Sequence, residues 1–236
     1  MKIAVILRND LRHHDHPAMH QASLDGDILP VYVLEENLGS AFKYWTHGHL
    51  KSLQSSLRKI NGDLYVSSHS LKETIKFLIE ELQIDGVYYN RSYHPDQRIR
   101  DEAFAHELDE QGVLVKTFEG TMLLPPWKAV KENGEPYKVF TPFYKQFRTK
   151  SVPQAVPKVM EATFIEVPQE VTCISTTIDS LKLVPSLDWT KGIDETWSVG
   201  EEAAIEQVKK FIDEDVAAYK QLRDFPSING TSRISP

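Results

Sequence analysis

Residues 8–16, RNDLRHHDH, hold two arginines, two aspartates and three histidines directly after an apolar run. Each arginine carries a rigid fork of donors that suits a carboxylate or a phosphate. Arg8, Asp10 and Arg12 can therefore face an anionic ligand. Equally, they can form a salt bridge that closes the loop onto a neighbouring helix. His13, His14, Asp15 and His16 are metal-ligand types, but they are adjacent rather than spaced at i, i+4. A solvated loop is the expectation there, and no metal site is assigned. A second cluster is residues 90–101, NRSYHPDQRIRD. Asn90, Asp96, Gln97 and Arg98 offer donors and acceptors to a heteroaromatic ring, or Asp96 simply caps a helix. A third lies in the tail, where Thr231, Ser232 and Ser235 surround Arg233 just after Gly230. Hydroxyls and amides at a Gly-led turn can hold a phosphate, although a surface turn is the default for that composition. Neither G-x-G-x-x-G nor a Walker P-loop occurs, which argues against those two nucleotide sites.

These clusters need a scaffold, and the apolar pattern supplies one. Residues 3–7 (IAVIL) and 28–34 (ILPVYVL) are short apolar runs without alternation, as in strands buried on both faces. Residues 63–66, 86–89 and 114–118 give three more strands. Leu50, Leu53, Leu57 and Ile60 place a helix over about 41–59. Leu71, Ile75, Leu78 and Leu82 mark another. Ile99, Ala103, Phe104 and Leu108 carry a third, which Gly112 can stop. This alternation implies a five-stranded parallel, Rossmann-like α/β sheet with flanking helices. The cluster after residue 7 would then leave the carboxyl end of a central strand, where open sheets bind ligands. The 90–101 cluster would lie beside it if the first and fourth strands are neighbours.

After residue 118 the rhythm breaks. The prolines of residues 123–127 (LLPPW) exclude a central strand, and residues 131–136 form a turn. Tyr137, Phe140, Phe143, Tyr144 and Phe147 recur at spacings of three and four, as on one helix face, and such a stripe is usually core. Residues 151–198 show no sustained period and suggest a long linker. Ser198 and Glu201 have capping-box spacing, and Ala204, Val208, Phe211, Val216 and Tyr219 continue a helical stripe. The organisation expected is residues 1–130 as an α/β domain, 131–198 as an aromatic-rich segment and linker, and 199–236 as a short helical segment.

Composition narrows the function classes. Of 236 residues, 41% are hydrophobic and 26% charged, as in a globular protein. No apolar run approaches the ~20 residues of a membrane span. The apolar stretch before Arg8 is too short for a secretory signal, so a cytoplasmic location is expected. Cys173 is the sole cysteine, which excludes an intrachain disulfide. A net charge of −7 argues against this chain alone presenting the main nucleic-acid surface.

Taken together, these stretches resemble the photolyase/cryptochrome family over almost the whole chain. LRNDLRHHDHPA is similar to the family's W-F-R-R-D-L-R-x-x-D-N-P-A opening. NRSYHPDQRIRD, PYKVFTPFYKQF, WSVGEEAA and RDFPSINGTSRISP follow in the family's order. Leu7 and Asn9 depart from the opening pattern, and Gln97 stands where some folate-binding members have glutamate. The resemblance implies an N-terminal antenna-binding domain followed by the start of a helical FAD-binding domain. The chain would stop where the pattern continues for about two hundred further residues.

The implied activity of the parent is that of a DNA photolyase, a carbon–carbon lyase. Light excites reduced FAD, an electron passes to a flipped-out pyrimidine dimer in damaged DNA, the ring splits and the electron returns. The antenna, a folate, deazaflavin or flavin, transfers excitation only. By resemblance, Tyr219, Thr231, Ser232 and Ser235 match flavin contacts, and Arg223 matches a position near the DNA face. Asp10, Arg12, Glu35, Asn90, Gln97 and Arg98 belong to loops lining the antenna pocket. No catalytic residue is assigned. The chain by itself is expected to be inactive, monomeric and dependent on a C-terminal helical domain. The alternatives are a cryptochrome-type photoreceptor fragment and a stand-alone nucleotide-binding α/β module.

Overall fold

The computed structural model describes residues 1–34, 38–150, 154–228 and 230–232. The chain divides into two compact units, one of residues 1–34 and 60–176, the other of residues 35–59 and 177–236.

The first unit is built on five parallel strands: β1 Lys2–Leu7, β2 Asp27–Val33, β3 Tyr65–Ser67, β4 Gly86–Asn90 and β5 Leu114–Phe118. Their order is β3-β2-β1-β4-β5, so β1 and β4 are neighbours, with Ile3 opposite Gly86 and Ile6 opposite Tyr89. The unbroken apolar runs of β1 and β2 are buried almost throughout, because helices cover a parallel sheet on both sides. Pro30 is tolerated opposite Val5, although a proline cannot donate to the ladder. It lies between the bond from Ile28 N–H to the Thr163 carbonyl and the start of β3 pairing at Val31.

α1 Pro17–Asp25, α3 Leu71–Leu82 and α4 Pro95–Glu110 complete the layers. α3 is the most strongly patterned. Ile75, Leu78 and Leu82 face a core with Ala4, Ile6, Val31, Val33, Val87 and Tyr89. Its N-terminus is a capping box between Ser70 and Glu73. α4 ends where expected: Gly112, at φ 78°, takes the left-handed turn that lets the chain enter β5. α1 escapes the periodicity reading because it buries only Ala18, Met19 and Ala22. One methionine and two alanines give no strong apolar stripe.

Residues 131–198, expected as aromatic segment and linker, are shared between the two units. Within the first unit, residues 154–176 are packed structure rather than free linker. Ile28 bridges Phe164, Ser67 bridges Ser175, and Thr176 N–H donates to the Val66 carbonyl. Val159 and Val171 are buried. The segment thereby covers the edge that the three-residue strand β3 leaves open. The aromatic stripe does form a helix, α5 Phe140–Phe147, but none of its residues is buried. Its rings satisfy one another along the helix instead, with Phe140 stacked on Tyr144 at 5.5 Å and Phe143 against Phe147 at 5.8 Å.

The second unit contains α2 Ser40–Arg58, α6 Lys191–Thr196, α7 Glu201–Lys210, a π-turn at Phe211–Asp215 and α8 Tyr219–Leu222. α2 is pinned at Lys51, whose ammonium lies 2.6 Å from Asp179, and at Tyr44, which donates to Asp194. Gly48 gives Val199 room to approach the helix: a Cβ there would lie 2.8 Å from a Val199 methyl. The capping box expected at Ser198 and Glu201 does not form. α7 starts at Glu201, and its cap is Gly200 at φ 118°, a backbone conformation that favours glycine over serine. Among the described residues no helix is long and apolar enough to cross a membrane.

Candidate functional site

The strand order reverses direction between β1 and β4, and their carboxyl ends open the switch point at which α/β sheets place ligands. The loops that leave β1, β4 and β5 meet there. Asp10 sits at their centre and is 6% exposed. Its carboxylate accepts the Arg8 backbone N–H at 2.9 Å and the Asn90 amide at 2.7 Å, and lies 3.1 Å from His16 Nε2. Burial alone would raise this carboxyl. The bonds from His16, Arg8 and Asn90 outweigh it and hold the group well below the usual carboxylate range.

His16 is fully buried, and its partners assign its tautomer. Nδ1 accepts the Met19 N–H at 3.0 Å, which makes His16 the N-cap of α1. Nε2 therefore carries the proton and donates to Asp10. Pro17 follows at the first helical position, where its missing N–H costs nothing. His16 is a metal-ligand type, but its ring is committed to Met19 and Asp10. Among the described residues no cluster could hold a metal ion.

Asn90 ends β4 with both halves of its amide used, since its oxygen also accepts the Ala18 N–H at 3.2 Å. Gly120, after β5, presses so closely on this amide that a Cβ would overlap it. Arg12 completes the closure. Its guanidinium donates to the Asp15 carbonyl at 2.9 Å and the Gly120 carbonyl at 2.6 Å. Arg8 forms a bidentate pair with Asp101 of α4 at 2.6 and 2.8 Å, and lies 5.4 Å from the Tyr89 ring centroid. Of the two readings open for these arginines, the structure supplies protein partners to both. Asp10, Arg12 and Asn90 are thus brought together, but mainly by bonding to one another and to the backbone.

Gln97 and Arg98 lie instead on the first turns of α4. Gln97 accepts the Ser92 hydroxyl at 2.7 Å, and Arg98 is half-exposed with Glu102 at 3.4 Å. Asp96 falls inside the first turn and caps nothing: the N-cap is His94. Glu35 lies outside the described residues, as do Arg233 and Ser235. In the second unit, Tyr219 packs edge-on against Phe211 at 5.8 Å, and the Arg223 guanidinium sits 5.7 Å over its ring. The Ser232 carbonyl accepts the Gln207 amide at 3.2 Å, and Gly230 packs directly on Leu222. These contacts hold Thr231 and Ser232 beside the C-terminal helices. Two adjacent hydroxyls after a glycine fit a phosphate by donor type.

His16 and Asp101 were not singled out as partners by the sequence. Asp101 is 93 residues from Arg8, a separation that leaves no local signal. The Pro17-Ala18 start of α1 was a usable signal for a cap at residue 16.

A further polar group sits across the sheet. Asp25 of α1 accepts Tyr88 Oη and Lys116 Nζ, each at 2.7 Å. The bonds from Lys116 and then Tyr88 bring its carboxyl down to about 2.

Comparison with known proteins accounts for this arrangement. The family model described as DNA photolyase matches residues 3–161. The chain is 34% identical to a deoxyribodipyrimidine photo-lyase of Agrobacterium fabrum, over 99% of this chain and 49% of the relative. It is 32% identical to the corresponding protein of Alkalihalophilus pseudofirmus, over 99% of this chain and 50% of the relative. The structure of a bacterial class III photolyase from Agrobacterium tumefaciens superposes with a TM-score of 0.91 at 33% identity, covering 100% of this chain and 49% of that one. The chain spans about half the length of the curated relatives it matches. With a family model over most of its length and a matching fold, the chain belongs to the DNA photolyase family.

Proposed function

We infer that this chain is the N-terminal part of a deoxyribodipyrimidine photolyase, a lyase that uses light to split cyclobutane pyrimidine dimers in DNA. The observation that carries the reading is the 34% identity to a photo-lyase sustained over 99% of the chain. On this reading residues 1–130 hold a light-collecting chromophore, and residues 199–236 begin the flavin-binding part. FAD, when bound, supplies the photoexcited electron that opens the dimer. Thr231 and Ser232 suit its phosphates by their hydroxyl donors, with Tyr219 and Arg223 on the same short stretch of helix and turn. At the antenna, Gln97 and Arg98 at the start of α4 offer an amide and a guanidinium to a heteroaromatic ring. The Asp10–His16–Asn90 network keeps the strand exits rigid beside them. The protein acts in the cytoplasm as a monomer, together with a C-terminal helical domain that completes the flavin site and the DNA groove.

Photoreactivation is the test. The full gene product that includes this chain is incubated with a dimer-containing oligonucleotide under blue light. Light-dependent return of intact thymines supports the reading. A flavin-containing product that leaves the dimer intact overturns it in favour of a photoreceptor.

A further inference from the structure

Downstream of β5, residues between 124 and 150 line an open surface cavity of about 430 Å³ within the first unit. That volume is in the range of small-molecule sites. One wall is Trp127, 46% exposed, flanked by Leu124 and Val130. The indole is held in place by its own neighbours, the Arg91 guanidinium 5.4 Å from its centroid and the Tyr93 ring at 5.8 Å. Lys128, Lys131 and Lys150 also line the cavity, with Glu132 the single acid in the lining. Lys131 is paired with Glu135 at 3.1 Å. Lys128 and Lys150 make no ion pair among the described residues. Two cations without counter-charges, beside an exposed indole, stand out on a chain of net charge −7.

We propose that this cavity binds a mononucleotide, the base stacked on Trp127 and the phosphate held by Lys128 and Lys150. An aromatic wall accepts any base by its π-face, and lysines act as point charges on phosphate. Neither feature belongs to the strand-exit network or to the tail hydroxyls. The site stands whether or not the photolyase reading does.

The test is calorimetric titration of the full 236-residue chain at low ionic strength with AMP, adenosine and inorganic phosphate. AMP binds saturably, and adenosine and phosphate each bind at least about tenfold more weakly, because each keeps only half of the contacts. Lys128→Ala with Lys150→Ala weakens AMP about tenfold and leaves adenosine unchanged, since only the phosphate contact is lost. Trp127→Ala weakens AMP and adenosine alike, whereas Trp127→Phe, which keeps a ring, retains most of the affinity. Circular dichroism verifies that each variant is folded. Three results overturn the proposal: no saturable AMP binding, AMP no tighter than phosphate alone, or a lysine double variant with unchanged affinity. A short oligo(dA) binding far more tightly per nucleotide than AMP also overturns it, in favour of a nucleic-acid strand.

Discussion

The Arg8–Asp101 pair ties the β1 exit to α4 through two side-chain hydrogen bonds, and its removal has a definite consequence. Arg8 and Asp101 have side chains 12% and 11% exposed, and both guanidinium nitrogens of the fork are engaged at 2.8 and 2.6 Å. Exposed ion pairs contribute about 0.2–1 kcal/mol, whereas breaking a buried one costs about 3–5 kcal/mol by stranding the surviving charge. A nearly buried bidentate pair stands closer to the second figure, so Asp101→Leu alone costs about 2–4 kcal/mol. Arg8→Met alone costs a similar amount, about 2–4 kcal/mol, with part of it from the lost contact to Tyr89. The double variant replaces both charges with apolar groups and costs about 1 kcal/mol, so the coupling is about 3 kcal/mol or more. Urea unfolding measures this, and the fluorophores make it specific. Trp127 lies in the first unit, while Trp45, Trp189 and Trp197 lie in the second. In a background with those three changed to Phe, Trp127 emission follows the unit that contains the pair. With an m-value of about 2 kcal/mol/M, each single variant moves the midpoint down by about 1–2 M. Single variants within about 0.3 kcal/mol of the parent, or a double variant that is simply additive, would refute the reasoning.

Three other outcomes follow from the same geometry. Gly120→Ala places a methyl on the Asn90 amide, which two hydrogen bonds hold still, so it destabilises the first unit by about 1–3 kcal/mol in the same assay. Wild-type stability would show that this loop moves aside. His16→Ala loses the α1 cap, a partner of Asp10 and a buried ring, and costs about 3 kcal/mol, whereas His16→Asn keeps a capping acceptor and costs about 1 kcal/mol. Equal losses in urea melts would contradict the capping role. Asp25 has a folded carboxyl brought down to about 2 from 3.8, so its contribution is complete above about pH 4 and fades as pH falls through that interval. The stability gap between the parent and Asp25→Asn should therefore narrow from pH 6 to pH 2.5. A gap of constant size would mean that the bonds from Lys116 and Tyr88 do not favour the ionised form.

What the sequence alone determined is the sheet and its order of elements. Strands buried on both faces require unbroken apolar runs, and residues 3–7 and 28–34 carry them without ambiguity. Leu71, Ile75, Leu78 and Leu82 likewise set α3 by their spacing. Gly112 was legible as a stop because only a residue without Cβ turns left-handed at no cost. The order of five short motifs also sufficed to point to the family. Tertiary structure decided everything that depends on distant partners. α1 escapes the pattern because one methionine and two alanines, Met19, Ala18 and Ala22, are all it buries, too few apolar positions for a stripe to appear. The stretch at 154–176 has no period of its own, since it takes its conformation from the open edges of β2 and β3. The spacing of the α5 aromatic stripe predicts core, yet nothing in a helix's own pattern says which surface it will meet. Arg8, Asp10 and Asn90 were recognisable as polar groups at strand exits. Their partners in the fold, Asp101 for Arg8 and His16 for Asp10, are residues that only the folded chain brings within hydrogen-bonding distance.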